Sequence, residues 1–398
     1  MKRIQLFLKL LLLAGIYLLA NLIPKRKNTW VFGAWYGNKY SDNTKAFFEY
    51  VSEKHHEINA IWITKDKQLM KALRSQNINV SYYISIKGLI AQLSAEFAFV
   101  CQALPDDIFA PAIGKKTNVV NLWHGLPLKK IMFDTFDAPK AGNNIFGKLV
   151  NFLTPYNKIR NDYLIATSSE TQKTLSRAFK ISKERTLITG FPRNDVLLNG
   201  HNERDTTFKC IYMPTFRGGI GTECDLFVKY GFNIYEIDKA LSNNDIKLYL
   251  RMHPVNKPPQ MLIDEIEKSY NIFFDNSEDI FDTLNSYDCL ITDFSGAYFD
   301  FLLMDKPILF APFDLDSYLD KERALYYDYK TVTFEPYSHN WNELIKNLIV
   351  ISKQQNSKKE VDEYQKIKKL FHEKLPEDVN SFSENLMKKL NKKSIKYN

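Results

Sequence analysis

Two histidines stand directly behind apolar, strand-like runs. His124-Gly125 follows Asn118–Trp123, so the imidazole emerges where a strand ends and Gly125 gives the chain a tight exit. Near neutral pH such a ring can take a proton from a hydroxyl, because its ordinary pKa lies close to the working range. His253-Pro254 closes the phrase Leu250-Arg251-Met252-His253-Pro254 behind a second run, Lys247–Arg251. Histidine and arginine there can donate to phosphate oxygens and offset leaving-group charge. The competing reading for His124 is a capping or core histidine that touches no substrate, and His-Pro taken alone is a weak motif.

Two further strand ends carry polar chemistry. Tyr212-Met213-Pro214-Thr215-Phe216-Arg217-Gly218-Gly219 sets an arginine beside two glycines, which suits an anion approached closely by backbone. It lacks both the Walker lysine and the dinucleotide glycine spacing, and a structural turn with a surface arginine is the alternative. In Ile291-Thr292-Asp293-Phe294-Ser295-Gly296-Ala297 an apolar strand stops at Asp293, Ser295-Gly296 turns the chain, and a helix begins. Backbone N–H groups and the Ser295 hydroxyl at such a start form a phosphate seat, and an ordinary serine cap is the plainer reading. Asp314-Leu315-Asp316 reads as a turn or helix start rather than as a cation pair. His55, His56, His201, His339 and His372 lack metal-ligand spacing, so no bound metal is expected.

The elements that must position these residues alternate. Strand-like runs at 30–35, 58–63, 80–84, 97–101 and 118–123 are separated early on by helical patterns at 43–53, 67–76 and 87–95. A strand at 163–167, a helix at 169–179 and a strand at 186–189 follow. A polar stretch at 199–207 reads as a linker, after which the alternation restarts. Strands are expected at 209–213, 247–251, 272–274, 289–292, 308–311 and 331–334, and helices at 233–241, 260–269, 279–286, 297–304 and 341–351. Strands spaced by helices imply βαβ units and parallel sheets. The expected α/β architecture is therefore two doubly wound, Rossmann-type lobes, residues 28–200 and 201–375. A cleft would lie beyond the carboxyl ends of their strands, where such sheets bind ligands.

Of 398 residues, 45% are hydrophobic, enough for real cores and too many for a disordered chain. The net charge of +8 is uneven: residues 1–28 carry +6 and residues 351–398 carry +5, which leaves the body at −3. Basic ends around a near-neutral body suit an anionic membrane surface better than nucleic acid. Residues 376–398 read as a basic helix or tail. Cys101, Cys210, Cys224 and Cys289 are widely spaced, which excludes a zinc ribbon or disulfide scaffold and fits a reducing compartment. Residues 4–23 are mostly apolar within an amino-terminal segment, 1–27, that reads as membrane-associated, spanning or in the plane of the interface. A cleaved leader is the third reading, disfavoured by the exit Pro24-Lys25-Arg26-Lys27.

Five phrases in order resemble the CDP-glycerol glycerophosphotransferase family of teichoic-acid primases, polymerases and capsule-making relatives. They are Trp123-His124-Gly125-Leu126-Pro127-Leu128-Lys129, Gly190-Phe191-Pro192-Arg193-Asn194-Asp195, Met213-Pro214-Thr215-Phe216-Arg217, Arg251-Met252-His253-Pro254 and Thr292-Asp293-Phe294-Ser295-Gly296. Leu126 stands where the family usually has Thr, and Gly296 where it usually has a second Ser. The resemblance implies a GT-B-like fold with the CDP-linked donor in the carboxyl-terminal lobe. It implies His124 and His253 as the catalytic pair, His124 deprotonating an acceptor hydroxyl that attacks the β-phosphate and releases CMP. Donor binding falls to Arg217, Arg251, His253, Asp293, Ser295 and Gly296, with Asp293 shaping the turn rather than touching substrate. It implies no cofactor, although Mg2+ can assist through the diphosphate. The implied partners are a CDP-polyol such as CDP-glycerol, a lipid-linked glycan or polymer acceptor, and the cytoplasmic face of the cell membrane. A GT-B glycosyltransferase using a nucleotide sugar and a secreted two-lobed binding protein are the alternatives.

Overall fold

Valine, isoleucine and aromatic residues fill the short apolar runs, and flanking helices bury those runs on both faces, as parallel strands require. The computed structural model describes residues 2–135, 150–198, 207–217, 225–252, 258–321, 324–353, 358–375 and 380–394. They form two units. The first holds residues up to His124, 132–195 and the carboxyl-terminal helix Phe382–Ser394; the second holds Gly125–Ile131 and the chain from Val196 to its last helix before that return. His253 lies outside the described residues, as does most of the expected linker, 199–206.

The first unit contains β1 (Arg26–Phe32), β2 (Asn59–Thr64), β3 (Val80–Tyr82), β4 (Ala95–Val100), β5 (Asn118–Asn121), β6 (Tyr163–Ala166) and β7 (Thr186–Ile188). They pair in parallel in the order β3-β2-β1-β4-β5-β6-β7. Side chains alternate across each strand. Trp30, Phe32 and Phe99 meet Phe47 of α2 (Asp42–Lys54), with Phe32 stacked on Phe99 at 4.6 Å and Phe97 stacked on the same Phe99 at 5.8 Å. Val31, Ala98 and Val100 belong to a separate cluster that includes Ala91 of the helix Ile86–Ser94. The run at 30–35 stops as a strand at Phe32, because Trp35 and Tyr36 turn into the left-handed region (φ 47° and 61°).

The amino-terminal helix α1 (Lys2–Leu22) packs Leu13 and Tyr17 on that second cluster and buries Ala20. Lys25 Nζ caps its end, donating to the carbonyls of Ala20 (2.8 Å) and Leu93 (2.7 Å). Burial, helped by Arg160 and Lys116, pushes that ammonium down to about 8. Leu8, Leu12 and Leu19 remain exposed, and Gln5–Leu22 is long and apolar enough to cross a membrane by length and composition.

The second unit contains β8 (Phe208–Met213), β9 (Ile246–Leu250), β10 (Ile272–Phe274), β11 (Cys289–Thr292) and β12 (Ile308–Phe310), parallel in the order β10-β9-β8-β11-β12. One core gathers Tyr212, Phe227 and Phe232 around the buried Trp341, whose Nε1 donates to the Leu226 carbonyl at 2.8 Å. Two expected elements differ. The strand at 331–334 is replaced by the helical turn Tyr329–Val332, because the Asp328 carboxylate accepts the Lys330 N–H and caps it. The helix at 279–286 is two short 3₁₀ turns, Ile280–Asp282 and Leu284–Ser286, separated at Thr283.

Candidate active site

In the first sheet the chain builds outward from β1 in both directions, so β1 and β4 flank the point where ligands bind in such folds. His124 follows β5, the next strand along, and is half-buried. Its backbone is held in an uncommon shape, with Trp123 at φ 50° and Gly125 at φ 138°. Side chains remote in sequence fix it. Asn43 Nδ2 donates to the carbonyls of Leu122 (3.1 Å) and Trp123 (2.9 Å), while Arg193 Nη1 donates to the His124 carbonyl and to Asp42 Oδ1, both at 2.8 Å. Arg193 and Asp42 are themselves buried. The rings of Trp35 (5.4 Å) and Trp123 (3.9 Å) flank the imidazole.

His124 Nδ1 lies 3.2 Å from the Cys101 carbonyl. A carbonyl only accepts, so Nδ1 carries the proton and Nε2 keeps its lone pair. Burial pushes the ring below its ordinary pKa, against the pull of the Asp42 carboxylate and the Cys101 carbonyl. The result is a neutral imidazole with a basic Nε2 near neutral pH.

Asp107 sets the Cys101 carbonyl. Its buried carboxylate accepts from the N–H groups of Cys101 (2.8 Å), Gln102 (2.6 Å) and Tyr36 (3.0 Å), tying the ends of β1 and β4 together. Burial outweighs those bonds and lifts its pKa from 3.8 to about 7. A carboxyl raised on folding stabilises fully below its unfolded value, and that contribution is lost as pH rises towards 7. Urea melts from pH 4 to 8 are expected to show the wild type losing a few kcal/mol relative to Asp107→Asn over this window.

In the second sheet the equivalent point lies between β8 and β11. Asp293 leaves β11 fully buried; Oδ1 accepts from the N–H groups of Thr215 (2.8 Å) and Phe294 (2.5 Å), and Oδ2 from Arg217 Nη2 (2.8 Å). Asp314 grips the same guanidinium with both oxygens, from Nε (2.8 Å) and Nη2 (2.7 Å), and Arg217 Nη1 donates to the Thr215 carbonyl at 2.7 Å. Burial would lower the Arg217 pKa, but the two carboxylates win and raise it. Tyr318 stacks on Phe294 at 4.0 Å beneath this cluster, and Lys129 Nζ sits 5.0 Å from the rings of both Phe216 and Tyr318. Arg251, at the end of neighbouring β9, is likewise engaged, by Asp275 Oδ2 (2.7 Å) and Ser277 Oγ (2.8 Å).

Ser295 is half-buried, and its Oγ accepts from the Ala297 N–H at 3.3 Å. The helix it opens is short, Ala297–Phe301, and passes into the 3₁₀ turn Leu302–Met304. Gly296 packs under the segment Gly125–Ile131, which bonds to residues 324–326 through Lys130 N–H to Ala324 (2.8 Å) and Tyr326 N–H to Leu128 (2.9 Å). A Cβ on Gly296 would come within 2.2 Å of the Leu126 carbonyl oxygen. Gly296→Ala is therefore expected to cost about 1–3 kcal/mol in urea melts. Shortening the Leu126 side chain will not rescue it, because the clash is with backbone.

The structure thus gathers Arg217, Asp293, Ser295 and Gly296 at the neighbouring ends of β8 and β11 in the second unit, with Arg251 behind β9 on the other side of β8, and gives the first unit His124. Asp42, Asn43 and Asp107 carry no signal of their type in the sequence; Arg193 sits inside a quoted phrase but without an assigned task. In that phrase Asp195 caps the carboxyl-terminal helix, accepting from Phe382 N–H (2.5 Å) and Ser381 Oγ (2.8 Å). Among the described residues, no group of three or more His, Cys, Asp or Glu side chains stands where a metal ion could be held.

Residues 16–384 match the pattern of the family described as CDP-Glycerol:Poly(glycerophosphate) glycerophosphotransferase. The teichoic acid glycerol-phosphate transferase of Staphylococcus aureus is 30% identical over 389 residues, which is 92% of this chain and 94% of that protein. The teichoic acid poly(glycerol phosphate) polymerase of Bacillus subtilis is 28% identical over 361 residues, 85% of this chain but 46% of that longer protein. Among solved structures, the wall teichoic acid polymerase TagF superposes with a TM-score of 0.69 at 23% identity, covering 94% of this chain and 90% of that one, which shows the GT-B-like fold.

Proposed function

We infer the chemistry of this chain from the premise that it belongs to the CDP-glycerol:poly(glycerophosphate) glycerophosphotransferase family, to which it matches over most of its length. It is a transferase that moves glycerol phosphate from CDP-glycerol to a teichoic acid acceptor. We propose that His124 is the general base. Nε2 takes the proton of an acceptor hydroxyl as that oxygen attacks the β-phosphorus of CDP-glycerol. The new P–O bond forms as the bond to the CMP oxygen breaks, CMP leaves with the bonding electrons, and the imidazolium returns its proton to water. The observation that carries this reading is the Cys101 carbonyl facing Nδ1, which leaves the basic lone pair on Nε2.

The donor is assigned to the second unit. Ser295 Oγ and the N–H of Gly296 meet the diphosphate at the end of β11, and His253 offsets the charge that develops on CMP. Arg217, gripped by Asp293 and Asp314, serves by holding the ends of β8 and β11 in register; Arg251 does the same for β9 through Asp275. The acceptor is lipid-linked, and α1 keeps the enzyme at the cytoplasmic face of the membrane that carries it, which raises the effective concentration of both.

The test is a donor screen with the purified full chain and a lipid-linked acceptor. CMP release from CDP-glycerol, with product growth by glycerol phosphate units, is the expected result. Turnover of nucleotide sugars with CDP-glycerol inert would overturn it.

A further inference from the structure

A groove of about 690 Å³ lies along α1 in the first unit. The helix lends it Leu10, Leu13 and Ile16, and the body lends Tyr83, Leu89 and Phe109. Its inner wall also takes in Lys65, Pro105 and Ile108. These residues follow β2 and β4, so the groove ends at the same edge of the sheet as His124, against the turn Leu104–Asp107 whose Asp107 orders Cys101. At the rim, Leu6, Leu12 and Ile84 both line the groove and stay largely exposed, which leaves its side open in apolar surroundings.

Charge and one orphaned hydroxyl narrow the occupant. The lining contains two lysines and no acid. Lys65 Nζ is bonded to the carbonyls of Pro105 (3.2 Å) and Asp106, whereas the exposed Lys9 makes no hydrogen bond or ion pair among the described residues. Tyr156 lines the groove with 5% of its surface exposed, and its hydroxyl is buried with no hydrogen-bond partner. A buried polar group in that condition calls for an oxygen or water to meet it. Burial also raises the Tyr156 pKa, so the group is a donor.

We propose that this groove binds a long-chain alkyl or isoprenyl phosphate. The chain lies along α1, and the anionic group meets Lys9 and the Tyr156 hydroxyl. The size and mostly apolar lining with a few polar groups suit such a ligand. Resting on the reading that the acceptor is lipid-linked, the groove receives the lipid end of that acceptor on the same unit that carries the base.

The detergent-solubilised full chain is labelled with a diazirine-bearing dodecyl phosphate, with dodecyl phosphate, dodecanol and inorganic phosphate as competitors. Label is expected within 83–89 and 108–111, with dodecyl phosphate competing about tenfold better than dodecanol and inorganic phosphate failing to compete. Ile16→Trp, which fills the groove, should weaken binding about tenfold. Leu11→Trp, on the exposed side of the helix, should not. Tyr156→Phe and Lys9→Gln should each lower affinity for the phosphate and leave the alcohol unchanged. Label confined to the exposed face of α1, equal competition by alcohol and phosphate, or equal behaviour of the two tryptophan variants would overturn the proposal. Binding is read without turnover. A chain that binds the probe but releases no CMP from CDP-glycerol therefore refutes the transfer reading and supports the groove, and an active chain without binding does the reverse.

Discussion

His124→Ala is expected to lower kcat by about 10³-fold while the KM for CDP-glycerol changes less than about twofold. The rate loss, roughly 4 kcal/mol of barrier, is what removal of a positioned base costs. KM holds because the donor is assigned to the other unit. His124→Asn sharpens the test. Its amide can still donate to the Cys101 carbonyl and keep the strand-end in shape, yet it has no basic lone pair, so it should be as slow as the alanine variant. The wild-type profile should fall on the acid side, with an inflection below the ordinary histidine value, because burial disfavours the imidazolium. Full turnover in either variant, measured as CMP release, removes His124 as the base.

Arg217→Ala is expected to unfold the second unit early, with the melting temperature dropping on the order of 10 °C. Arg217 and Asp314 side chains are each 15% exposed and Asp293 is fully buried, so the substitution leaves two sequestered carboxylates without the cation that holds them. Breaking such a group costs roughly 3–5 kcal/mol. Arg217→Lys should recover little, because one ammonium cannot span the fork that reaches both aspartates. A guanidinium whose task was to bind phosphate directly would behave otherwise. It would raise KM for CDP-glycerol tenfold or more and leave the melt unmoved, and that outcome would refute the positioning role.

Most strand and helix positions are legible locally. The runs ending at Asn121, Met213, Leu250 and Thr292 are apolar and β-rich, and helices of the right length separate most neighbouring runs, so parallel sheets with His124, Arg217, Arg251 and Asp293 behind strand ends follow from spacing alone. Errors fall where a side-chain contact overrode propensity. Thr331, Val332 and Thr333 have strand-like chemistry, yet the Asp328 cap and the Tyr329 hydroxyl bonded to the Asp293 carbonyl at 3.0 Å make a helical turn there.

What each polar residue does was not legible, because the partners arrive from far along the chain. Arg217 reads as an anion ligand from its neighbours Gly218 and Gly219, and the carboxylates it meets in the fold lie 76 and 97 positions away. The tautomer of His124 depends on a carbonyl 23 positions upstream, which Asp107 orders. Periodicity and turn chemistry act over a few residues and so write the elements into the sequence. Which strand ends become neighbours is decided by the order β3-β2-β1-β4-β5-β6-β7 and β10-β9-β8-β11-β12, and within each sheet only that order brings a hydrogen-bonding side chain to its partner.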